Sequence, residues 1–167
     1  MSRIASILLV VSAFAASVAA QDIPVQLRGR WVVTRVLPTT AISCWGSDDA
    51  KKLVGTEIEY TADSLRWKNY VAYHPKAEVT LMSAERFHAE NSDWGSSRSE
   101  VTFGQLGIGG GSATQIVLVH PDAPPVPGAN EIPGDRVLIK GGGTIVVSVC
   151  NVFFEARRAG PEDKPAH

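Results

Sequence analysis

The sequence is poor in cysteine, with two in 167 residues, and these form neither a CxxC pair nor a zinc-ligand spacing. A thioredoxin-like redox role and a zinc finger therefore have no footing. Charge of one sign is also missing: 16 Lys and Arg stand against 17 Asp and Glu, for a net charge of −1. That balance disfavours a polybasic nucleic-acid binder and an acidic disordered tail. There is no G-x-S-x-G elbow, no H-E-x-x-H and no GKS or GKT, and no nucleophile sits beside a base. The expectation is a protein that is not an enzyme, with no cofactor and no metal. Aromatic residues are only 7%, yet the 44% hydrophobic content is enough for a single core.

The one long apolar run lies at the start. Arg3 precedes Ile4, Ile7, Leu8, Leu9, Val10, Val11 and Phe14, and Ser17, Val18, Ala19 and Ala20 follow. A positive start, an apolar middle and small residues before Gln21 have the form of a secretory signal peptide over residues 1–20. Serines interrupt the run and no basic stop-transfer cluster follows it, which disfavours a membrane anchor. Residues 21–158 are then the folded domain and 159–167 a disordered tail. The mature protein is expected in the periplasm or outside the cell, with no membrane association after cleavage. An oxidising compartment favours pairing of Cys44 with Cys150. Closing so long a loop is worth about 4–5 kcal/mol in the chain-entropy account. Two separate buried thiols are the alternative.

Past the leader, apolar and β-branched runs recur between turn signals. They predict strands over 31–37, 57–61, 64–68, 77–82, 101–106, 114–120, 136–140 and 144–154. About eight strands in one domain predict an all-β fold, an antiparallel up-and-down barrel. Gly141-Gly142-Gly143 predicts a hairpin turn, because glycine reaches positive φ without strain. Ser47 can cap one short helix over 48–54, with acids in its first turn and Gly55 at its stop. Ser83 can cap a second over 84–91, although 87–90 also reads as strand. Residues 121–133 hold five prolines and must be loop.

Gly29-Arg30-Trp31 opens the first strand and Arg157-Arg158 follows the last. In a closed barrel those strands are neighbours, and an arginine can lie over Trp31 as a cation–π contact sealing the floor. Only one of the two arginines can face inward, since neighbours on a strand alternate. This pattern resembles the calycins, meaning lipocalins, fatty-acid-binding proteins and avidins. The stretch from Trp31 through the 48–54 helix to Thr56-Glu57-Ile58-Glu59-Tyr60 also resembles small exported lipocalin-like bacterial proteins. The resemblance implies a lipocalin-like barrel that binds a small ligand. Residues 38–55 depart from it, placing a helix and a cysteine where true lipocalins carry a long loop.

Candidate binding residues follow from the aromatics. Alternation puts Leu65 and Trp67 on one face and Val101 and Phe103 on another strand's face. Trp67, Tyr60 and Phe103 could thus line one lumen around a small apolar or amphipathic molecule. Core packing is the plainer reading of the same rings. Trp45 and Trp94 sit in glycine-flanked loops, where an aromatic either folds back or meets a protein partner. Two functions remain open: an exported carrier of a small ligand, or an inhibitor or interaction module docking on an enzyme through those loops. His74, His88 and His120, with Glu90, are weaker candidates as metal ligands, and the glycines from 104 to 111 read as a flexible turn. The oligomeric state is not legible.

Overall fold

A computed structural model of the chain describes residues 21–37, 47–91, 101–120, 133–149 and 151–161. Residues 1–20, Cys44, Trp45, Trp94, Cys150 and most of the proline-rich loop lie outside the described residues.

Nine strands and three short helices are present among the described residues. The strands are β1 (Gly29–Val36), β2 (Glu57–Tyr60), β3 (Ser64–Trp67), β4 (Tyr70–Tyr73), β5 (Lys76–Ser83), β6 (Ser112–Val119), β7 (Arg136–Gly141), β8 (Thr144–Val149) and β9 (Val152–Arg158). The helices are α1 (Ser47–Lys51), α2 (Ala84–Asn91) and α3 (Phe103–Leu106). All strands join one antiparallel sheet in the order β4-β3-β2-β1-β9-β8-β7-β6-β5. The fold is all-β and barrel-like: the first and last strands pair, and the sheet's two edges are the consecutive strands β4 and β5. Gln21 forms a two-way bridge with Ala77 on the β5 edge.

The sheet curls so far that residues many strands apart touch across it. Tyr60 on β2 donates its hydroxyl to the carbonyl of Gly134, just before β7, at 2.8 Å. Gly134 has φ +85°, and a Cβ there would sit 2.9 Å from the Tyr60 oxygen. Glycine is required on both counts.

Alternation sorts the strand residues onto two faces. The inner face carries one apolar cluster that includes Trp31, Val33, Ile58, Tyr60, Leu65, Trp67, Ile116, Val137, Val147 and Phe154. The outer face of β5 to β9 carries a second cluster, in which Met82, Leu138, Val146 and Phe153 pack under Phe87, Phe103 and Leu106. Two-sided burial is why β8 runs Ile145-Val146-Val147 without alternation and is buried up to Val149, with Ser148 as its one buried polar residue.

Several expectations are corrected here. Residues 144–154 are not one strand but two, β8 ending at Val149 and β9 starting at Val152, with Asn151 at φ 59° before β9. Residues 70–73 form an unanticipated strand, bracketed by Lys68 at φ 52° and His74 at φ 51°. Residues 101–106 are not a strand. Thr102 and Gln105 form a capping box, and the chain turns as α3 to Gly107. Just past β9, the Ala159 amide donates to the Arg30 carbonyl at 2.8 Å.

Candidate functional site

The floor of the barrel is built from both ends of the domain. Residues 21–28 cross beneath the sheet with Ile23 and Leu27 fully buried. The Arg158 guanidinium lies 4.3 Å from the centroid of the Trp31 ring. Its two terminal nitrogens also donate to the carbonyls of Arg28 (2.7 Å) and Gln26 (2.8 Å). The Trp31 indole donates to the Leu27 carbonyl at 2.7 Å. Gly29, two residues before Trp31, holds φ +117°, a backbone conformation glycine adopts without strain, and a Cβ there would also approach the Arg158 guanidinium to 2.8 Å. Arg157 lies on the outer row, beside Thr144 and Val32. Arg158 is therefore the arginine that covers Trp31.

The inner aromatics are spoken for. Trp67 stands edge-on to Phe154 at 5.9 Å, and its indole donates to Thr56 Oγ1 at 2.7 Å. The Tyr60 hydroxyl is used by Gly134, and burial, aided by the Asp135 carboxylate, holds its pKa well above the usual value. Phe103 does not join them. It sits in α3, outside the sheet, with its ring 5.0 Å from Phe87. The grouping of Trp67, Tyr60 and Phe103 around one lumen is corrected: two rings are inside and the third is in the outer cluster.

His88 and Glu90 lie on a helix rather than a strand, so two residues of separation turns them apart. Glu90 pairs with Arg86 at 2.7 Å. No group of three metal-ligating side chains gathers among the described residues.

A feature with no sequence signal lies under α2. Gln115 and Ser148, 7% and 6% exposed, are the buried polar side chains on the outer face. They line a small cleft with Arg136, Phe87, Leu138, Val146 and Phe153. Its volume is about 10 Å³, the space of one water-sized centre.

Two acid-sensitive positions are set by burial and pairing. His120 is largely buried with neither ring nitrogen hydrogen-bonded, and the nearest carboxylate oxygen, on Asp135, is 3.9 Å away. Burial lowers its pKa from the ordinary 6.5. Glu155 accepts from Arg35 through two 3.1 Å bonds and from the Lys140 ammonium. Arg35 first, and Lys140 with it, hold Glu155 below its ordinary 4.5. The folded state binds the His120 proton more weakly than the unfolded chain does. Stability should therefore begin to fall as pH drops below about 6.5. The Glu155 contribution, present above about 4.5, should be lost as pH falls from there through the folded pKa. Urea unfolding at stepped pH should resolve both windows. His120→Gln should flatten the upper one, and Glu155→Gln should cost about 1 kcal/mol at pH 7, mainly by leaving the part-buried Lys140 ammonium without its partner. A wild-type profile that is flat from pH 7 to 5 would contradict the first assignment.

Compared with known protein families, curated proteins and solved structures, the chain matches none.

Proposed function

We propose that the protein is exported and non-enzymatic, and that it holds a small apolar or amphipathic ligand. The observation behind this is the pairing of a rigid curled sheet with buried polar side chains, Gln115 and Ser148, that face an aromatic-walled cleft. A few placed polar groups in an otherwise apolar recess are the usual make-up of a small-molecule site. The shifted titratable groups have structural partners or burial as their cause, as expected of a scaffold. Calycin kinship, signal cleavage before Gln21 and a Cys44–Cys150 disulfide belong to the same proposal.

One experiment reads most of it. Protein taken from the exported fraction of its own host should be measured by native and by non-reducing mass spectrometry. We expect a chain starting at Gln21, two hydrogens lighter than the reduced form, carrying a small-molecule adduct. A chain with its leader attached and two free thiols would overturn the export proposal. A fully ligand-free protein that also takes up no fluorescent fatty-acid probe would overturn the carrier proposal.

A second reading, docking on another protein, is favoured by the two sheet edges. Tyr73 on β4 and Leu81 on β5 are 65% and 72% exposed. Unpaired edges with apolar side chains are templates for an added strand. Capture of a host enzyme by protein that binds no probe would place this reading first, with Trp45 and Trp94 as the next residues to replace.

A further inference from the structure

We infer that the cleft beneath α2 is the ligand site, and that it takes a carboxylate. This rests on the binding-protein proposal and moves the site from the lumen to the outside of the barrel. Register places the residues. On the outer face Gln115 lies across from Leu138, and Leu138 from Val146. In the adjacent row Arg136 lies between Val117 and Ser148, and Ser148 faces Phe153. Phe87 of α2 closes the recess from above, its ring 6.1 Å from that of Phe153.

The polar groups in this recess are unused. Among the described residues no hydrogen bond or ion pair holds the side chains of Gln115, Ser148 and Arg136; the first two residues are more than nine-tenths buried, and their polar ends open onto the cleft rather than being sealed in the core. Polar groups that open onto so small a recess are satisfied by whatever polar atom occupies it. No acidic side chain lines the cleft. A guanidinium, an amide and a hydroxyl can all donate, and together they suit an anion. The available volume admits one oxygen-sized atom. One carboxylate oxygen would fill it between Gln115 and Ser148. The other would face the exposed guanidinium of Arg136, and the ligand's apolar tail would leave along the surface. An ordered water is the competing occupant of the inner pair, and Arg136, exposed to solvent, adds attraction only for an anion.

The test is a titration with octanoate, followed through the side-chain amide signals of Gln115 in isotope-labelled protein. We expect those signals to shift with octanoate, and to stay in place with octanol or with matched chloride. Arg136→Gln should weaken binding roughly 10- to 100-fold, the loss of a charge-assisted contact. Gln115→Leu should abolish the octanoate response, read on the remaining backbone signals, while raising the melting temperature, because it removes an unpartnered polar group. A response to octanol equal to that to octanoate would overturn the carboxylate assignment. So would an Arg136→Gln protein that binds octanoate unchanged. If the adduct from the host is retained by both variants, the site assignment fails while the carrier proposal stands. If neither adduct nor octanoate binds the wild type, both fail together.

Discussion

Replacing Trp31 by alanine is expected to cost about 3–5 kcal/mol of folding stability, the range for truncating a large core aromatic. The ring is buried between Val33 and Ile58 in the inner cluster, its indole is bonded to Leu27, and Arg158 covers its face. Its loss opens the floor and leaves the Leu27 carbonyl without its donor. The two arginines should separate sharply. Arg158→Ala removes two charge-assisted bonds to the carbonyls of Gln26 and Arg28 together with the cation–π contact, about 2–3 kcal/mol. Arg157→Ala, on the outer row, should cost less than about 1 kcal/mol. Denaturant unfolding of the three variants decides the matter. A Trp31→Ala loss under about 1 kcal/mol, or two arginines of equal effect, would show that the floor contributes little.

The second large effect is expected at Gly134. Alanine there must hold a left-handed φ, at about 1–2 kcal/mol. Its methyl would also meet the Tyr60 oxygen at 2.9 Å and displace the cross-barrel bond, a further 1–2 kcal/mol or so. The sum is about 2–4 kcal/mol. Tyr60→Phe alone should lose about 1–2 kcal/mol, because the Gly134 carbonyl then lacks its donor. The double variant should be less destabilised than the two single losses added together, since both remove the same bond. Additive losses in that cycle would mean the two residues do not act as one clamp.

Much of the sheet was legible because the local signals were strong. The glycine triplet at 141–143 marked the β7–β8 hairpin, and Ser83 does cap α2, its hydroxyl accepting from the Arg86 amide at 3.1 Å. The failures have specific causes. Apolar spacing in 101–106 suits a strand as well as a helical turn, and the Thr102–Gln105 capping pair is what distinguishes the two. The β8–β9 reversal has no glycine or proline, only Asn151, a residue that tolerates positive φ. That helical turn is also what carries Phe103 out of the sheet and against Phe87.

The candidate site was invisible for a different reason. Gln115, Ser148 and Arg136 are 33 residues apart at most, yet nothing local distinguishes them from ordinary strand polar residues. Their shared face exists only once β6, β7 and β8 are in register and α2 lies across them. The floor was readable because Gly29, Trp31 and the paired arginines sit at the two ends of the domain, where neighbouring first and last strands could be foreseen. That Arg158 rather than Arg157 faces inward needed the register with Trp31.

The pairing of β1 with β9 also fixes an order of events in time. Arg158 reaches carbonyls 130 and 132 residues earlier in the chain. Contacts of that separation carry a large loop-closure cost before any of their stabilisation is gained, and such sheets fold in roughly milliseconds to seconds. Until β9 has emerged from the ribosome, β1 has only β2 beside it, and residues 21–28 lack the Arg158 guanidinium that holds the carbonyls of Gln26 and Arg28. The last strand to be made is thus the one that locks the first, and a nascent chain carrying everything up to β8 still has no floor.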